Sequence, residues 1–152
     1  MSPRSFHRVA RLARRGFTLI ELMIAVVAVA ILAAIALPSF FEQLARARRT
    51  AVQAALLEDA GYMQHYYAAH NAYTDSAAPQ LPVPQTPRAG VASYAITVSV
   101  PAGDPTSFVL TAVRAGAMAA DPCGDFTYDN LGRRDLAAGT FAAGRNPARC
   151  WR

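Results

Sequence analysis

Glycine–lysine phosphate loops, nucleophile elbows and paired-cysteine zinc patterns are all missing from this 152-residue chain. Their absence removes common sequence routes to nucleotide hydrolysis, acyl transfer and structural zinc binding. His65 and His70 are five apart, on different faces of a helix, so no metal pair is read there. Asp121, Asp125 and Asp129 lack the Asp-x-Asp-x-Asp-Gly calcium spacing and read as a solvated turn. No cofactor or metal site is read, and the chain is expected not to be an enzyme. Acidic residues are also missing from the first 16 positions, which hold Arg4, Arg8, Arg11, Arg14 and Arg15. They account for the formal charge of +5, because the remaining ten arginines are matched by ten Asp and Glu. The body of the chain is formally neutral, so overall basicity is no argument for nucleic-acid binding.

Apolar residues are abundant and concentrated. From Phe17 to Phe41 only Thr18, Glu21, Pro38 and Ser39 interrupt the run, and Leu22 to Leu37 holds no polar residue. As a helix rising about 1.5 Å per residue, this run can cross a hydrocarbon core of about 30 Å. The arginines before it favour a cytoplasmic N-terminus, although Arg46, Arg48 and Arg49 beyond it reduce the asymmetry. A cleaved secretory signal is the ordinary alternative, with Ala28-Val29-Ala30 or Ala34-Ile35-Ala36 as cut sites, and Arg14-Arg15-Gly16-Phe17 resembles a twin-arginine core. Glu21 argues against both. An acid costs roughly 2.5 to 3.5 kcal/mol at the centre of a membrane helix, and a discarded segment gains nothing from it.

Beyond Pro38, Leu44, Val52, Leu56, Met63 and Tyr67 keep near-helical spacing, with Arg46, Arg49, Gln53 and Glu58 available for polar faces. This predicts one long helix with an amphipathic second half, ending near His70 before Asn71 and the proline-rich stretch from Thr74 to Pro87. Ser93–Val100, Ser107–Val113 and Phe126–Tyr128 read as strands, the first two joined through Pro101–Thr106 and the third followed by an Asp-Asn-Leu-Gly turn. Two cysteines, Cys123 and Cys150, lie downstream of the apolar run. Delivered across a membrane they meet an oxidising compartment, where a disulfide is expected; two unlinked buried thiols are the alternative.

The run Arg15-Gly16-Phe17-Thr18-Leu19-Ile20-Glu21-Leu22-Met23-Ile24, followed by Ala33-Ala34-Ile35-Ala36-Leu37-Pro38, resembles the class III signal of type IV pilins and the related pseudopilins. The resemblance implies that a prepilin peptidase and N-methyltransferase cuts after Gly16 and methylates Phe17, and that Glu21 is the assembly residue. It divides the chain into a cleaved leader (1–16), a transmembrane and assembly helix (17–41) and a periplasmic head (42–152). Many family members have glycine where Ala30 stands, while Pro38 remains as a place for the helix to kink. The run Gln53–Leu57, the tyrosines Tyr66, Tyr67 and Tyr73, Phe108–Ala112, Cys123-Gly124 and Cys150-Trp151 are similar to PilE-like minor pilins.

The expected fold is therefore α+β, a long helix packed on a small antiparallel sheet with a disulfide-closed C-terminal region. The expected function is a structural subunit, a minor pilin. It would sit in the inner membrane with a periplasmic head, then in an extracellular pilus. Its partners would be other pilin subunits, inner-membrane lipid, and an assembly platform driven by a separate ATPase. The alternatives are a type II secretion pseudopilin, or a pilin that binds DNA or a surface ligand. For the last, Tyr62, Tyr66, Tyr67 and Tyr73 could stack, and Arg133, Arg134, Arg145, Arg149 and Arg152 make the C-terminal region locally basic. Tyrosines at this spacing more commonly pack beneath a sheet.

Overall fold

The computed structural model describes residues 16–73 and 79–151. Of the expected leader, only Gly16 falls within them. The chain divides into two units, residues 1–39 and 40–152.

One helix, α1, runs Leu19–His70. Its start is set by Thr18, whose Oγ1 accepts the Glu21 backbone N–H at 3.3 Å, so one of the orphan donors of the first turn is satisfied. Its end is set by Asn71, at φ 54° with its N–H on the Tyr67 carbonyl at 2.7 Å, a left-handed stop. The expected stop near His70 is met. The helix runs through Pro38, whose side chain lies outside the described residues.

The head holds a five-stranded antiparallel meander in the order β1 (Gln85–Thr86), β2 (Tyr94–Ser99), β3 (Val109–Arg114), β4 (Phe126–Asp129), β5 (Arg134–Leu136). A 3-10 turn, Gly116–Met118, and a short helix, α2 (Pro147–Cys150), complete it. The three expected strands appear with ends shifted by a residue or two. β1 and β5 were not expected. β1 lies between Pro84 and Pro87 in what reads as breaker sequence, which is possible because it is an edge strand. β5 has three residues, too few to show alternation.

Register places Ile96, Ala112, Phe126 and Leu136 in one row across the sheet. These side chains share a buried cluster with Val52, Leu56, Ala60 and Met63 of α1 and with Tyr73, Phe108 and Met118. The α1 members recur at three- and four-residue intervals, so a single stripe covers the sheet. On the opposite face Thr97, Thr111, Thr127 and Asp135 line up across four strands.

Candidate functional site

In the first unit every large apolar side chain from Leu19 to Leu37 is exposed, and Phe17, ahead of the helix, is 79% exposed. A helix that is apolar all round has no solvent-facing side to offer water. Glu21 lies exposed in the first turn, where the helix dipole favours an acid. Thr18-Leu19-Ile20-Glu21 has the spacing of a capping box, a local role for both polar residues that motif reading alone passes over.

In the head, the polar residues nearest the core are not where amphipathic patterning puts them. Arg49 and Gln53 were expected on a polar face, yet both are buried. Arg49 Nε donates to both Asp121 oxygens at 3.1 and 3.0 Å, and the Tyr94 hydroxyl donates to Asp121 Oδ2 at 2.9 Å. Burial, reinforced by the Asp121 charge, pushes the Tyr94 hydroxyl well above its ordinary pKa. Gln53 Nε2 donates to the Cys150 carbonyl at 2.8 Å. Asp121 is thus 6% exposed and ion-paired, Asp125 half-buried and held by Arg114 at 2.9 Å, and Asp129 buried. The expectation of a solvated aspartate turn is overturned, because burying carboxylates is tolerable when each is matched by arginine or backbone donors. A signal was available: Arg49 and Gln53 fall on the same stripe as Val52, Leu56 and Met63.

Cys123 and Cys150 are bridged, as expected. Gly124 follows at φ 75°, and a Cβ there would lie 2.6 Å from Thr140 Oγ1 and 2.8 Å from the Phe141 nitrogen, so only glycine lets the Thr140 loop close over the bridge. Trp151 caps the same end: its ring meets Phe126 edge-on at 5.4 Å, its Nε1 donates to the Asp135 carbonyl at 2.9 Å, and the Arg134 guanidinium carbon lies 5.8 Å from its ring centroid.

The tyrosines divide. Tyr73 packs on Phe108 and Tyr67 on Tyr73, as expected, whereas Tyr62 is exposed and Tyr66, half-buried, stacks on His70 at 4.1 Å. The C-terminal arginines divide too. Arg133 and Arg134 flank the β4–β5 turn, while Arg145 and Arg149 line a groove with Glu42, Arg46 and Thr50, to which no tyrosine contributes.

A prokaryotic N-terminal methylation motif matches residues 11–37, which include Gly16, Phe17 and Glu21. A family model described as type IV minor pilin ComP, DNA uptake sequence receptor, matches residues 38–127. The type IV wide pilus major component PilA4 of Thermus thermophilus is 39% identical over 64 residues, 42% of this chain and 49% of that protein. The chain therefore aligns with about half the length of that relative. A solved type IV pilin from Shewanella oneidensis superposes with a TM-score of 0.42 at 24% identity, covering 64% of this chain and 97% of that one. The minor-pilin match selects the pilus over the secretion pseudopilus. The chain belongs to the type IV minor pilins of the ComP family.

Proposed function

We propose that prepilin peptidase cuts this minor pilin after Gly16 and methylates Phe17, leaving residues 17–41 in the inner membrane and the head in the periplasm. An assembly platform with a separate ATPase then moves it into the filament, and α1 joins it to neighbouring subunits. The observation behind this reading is the apolar surface of α1 from Leu19 to Leu37, exposed on all sides and interrupted by the single acid Glu21. Removing that surface from contact with lipid on extraction requires other subunits to cover it. A carboxylate enclosed among them is tolerable when paired and hydrogen-bonded, and the new Phe17 amine of a neighbour supplies the partner. Pro38, lacking a backbone donor, gives the helix a place to bend as it packs. In the test, Glu21→Ala keeps leader cleavage and membrane level while filament incorporation falls at least tenfold. Mature protein beginning at Phe17 is read by mass spectrometry. Normal filament content in the variant, or an N-terminus after Ala30, would refute the reading.

The family's description as a DNA uptake sequence receptor favours a second task for the head, reception of DNA. The chain has no lysine, and its 15 permanently cationic side chains are all arginine, whose fork matches phosphate oxygens; Arg133 and Arg134 stand exposed beside the Trp151 end. A duplex-retention assay compares the protein with a variant carrying Arg133→Gln and Arg134→Gln. The expected result is weaker retention and a salt slope shallower by about two, one per lost phosphate contact. Unchanged retention would move DNA away from this end.

A further inference from the structure

The groove of about 490 Å³ between α1 and the C-terminal segment serves neither the core nor the sheet. Its charges do not cancel. Arg49 is neutralised by Asp121, and Glu42 lies 3.3 Å from Arg46 and 3.4 Å from Arg49. Among the described residues no acid lies within ion-pair distance of Arg145 or Arg149, so two guanidinium groups on the α2 side face a rim that already carries Arg46. The groove begins at Glu42, directly after the apolar run, and in the same unit Phe40 and Phe41 stand 59% and 62% exposed with their rings edge-on at 6.0 Å. Exposed aromatic rings at the end of an apolar run, close in sequence to arginines such as Arg46 whose stems can reach back toward an apolar layer, are the composition of a membrane interface.

From this we infer that the groove binds the phosphate of an anionic phospholipid headgroup while the subunit waits in the membrane, an inference that rests on the membrane reading above. Arg145 and Arg149 hold the phosphate, Phe40 and Phe41 sit among the upper acyl carbons, and Arg46 adds its fork when Glu42 releases it. Duplex DNA is the weaker occupant, because it would meet the Glu42 carboxylate and two exposed phenyl rings with nothing to set against either. A lipid uses the cations and the apolar flank together. Two interfacial arginines facing an anionic leaflet account for roughly a tenfold to thirtyfold preference.

Full-length protein is placed in nanodiscs of equal phosphatidylglycerol and phosphatidylcholine, extracted gently, and the retained lipid counted by mass spectrometry. Retained lipid should be enriched at least fivefold in phosphatidylglycerol. Arg145→Gln with Arg149→Gln should abolish the enrichment, and Glu42→Gln should raise it by freeing Arg46. Thermal melting of each variant in the same nanodiscs confirms that the head is folded, so lost enrichment is lost binding. Enrichment that survives the double substitution overturns the proposal. So does a double variant that keeps its lipid but loses duplex DNA, which would make the groove a nucleic-acid surface. Displacement of phosphatidylglycerol by millimolar inorganic phosphate would also overturn it, showing a free-phosphate site. A chain that fails to enter nanodiscs overturns the membrane reading along with this one, whereas failure of the Glu21 test leaves this result standing.

Discussion

Leu32 and Leu56 belong to the same helix, yet Leu32 is 68% exposed and Leu56 fully buried. Around Leu56 the apolar residues recur every three or four positions and meet a sheet supplied by the same chain. Around Leu32 they are unbroken and meet nothing from the described chain. The same element therefore carries two kinds of information. One half specifies how the head folds, and the other half offers an apolar surface that, in the assembly proposed above, lipid and then other subunits would cover. A substitution should register in a head-folding assay or in an assembly assay according to which half it strikes.

The largest loss of head stability is expected at the buried ion pair, where Arg49 joins α1 to the segment just before Cys123. Asp121→Ala leaves a buried guanidinium without its carboxylate and the Tyr94 hydroxyl without its acceptor, so the head should lose about 3–5 kcal/mol. Chemical denaturation of detergent-held protein measures this. A loss below about 1 kcal/mol would show that water or Glu42 replaces the pair.

Opening the bridge comes next. Cys123 and Cys150 are 27 residues apart, and a chain-entropy estimate for a loop of that size is about 3.5 kcal/mol. Cys123→Ser with Cys150→Ser should lower stability by about that amount, and filament incorporation should fall only as far as folded head is lost. A disproportionate loss of assembly would assign the closed tail a direct part in subunit contacts.

The contrast within α1 is sharpened by a matched pair. Leu56→Ala removes a fully buried side chain and should cost about 3 kcal/mol of head stability. Leu32→Ala should leave the head's melting temperature unchanged and reduce filament yield instead. Were both variants to melt alike, the two halves of the helix would share one folding unit and the division drawn here would fail.

Much of this was legible in the residues because the decisive signals are local. The unbroken apolar run, Glu21 within it and the alternation from Tyr94 to Ser99 each lie within one short window. The pairing of Arg49 with Asp121 is hidden from such reading because the two are 72 positions apart, although Arg49 by itself falls on the buried stripe of α1. The groove is hidden for the same reason, since Arg46 and Arg149 meet only after the disulfide brings the tail back to α1. β1 is invisible because its pairing with β2 is made by the partner strand, not by the two residues that compose it.

The smallest expected effect is a gain. Asp59 is fully buried on the core-facing side of α1, and its Oδ1 accepts the Val83 backbone N–H at 2.9 Å while Oδ2 has no partner among the described residues. Burial pushes its pKa up from 3.8 to about 6, with Glu58 adding to the rise and the Val83 hydrogen bond and Arg88 opposing it. An acid bound more tightly to its proton in the folded state contributes stability below its unfolded pKa. That contribution is lost as pH rises through about 6 and stays lost above. At about 1.4 kcal/mol per tenfold change in proton affinity, the charged form costs the head roughly 2–3 kcal/mol at pH 8. Asp59→Asn keeps an acceptor for the Val83 N–H and carries no charge. The variant should therefore melt higher than the parent at pH 8, by about 10 °C for a domain of this size, and should melt with it at pH 4. Coincident melting at both values would mean that the ionised carboxylate finds a second donor for Oδ2 within the head, and that burial alone does not set its charge.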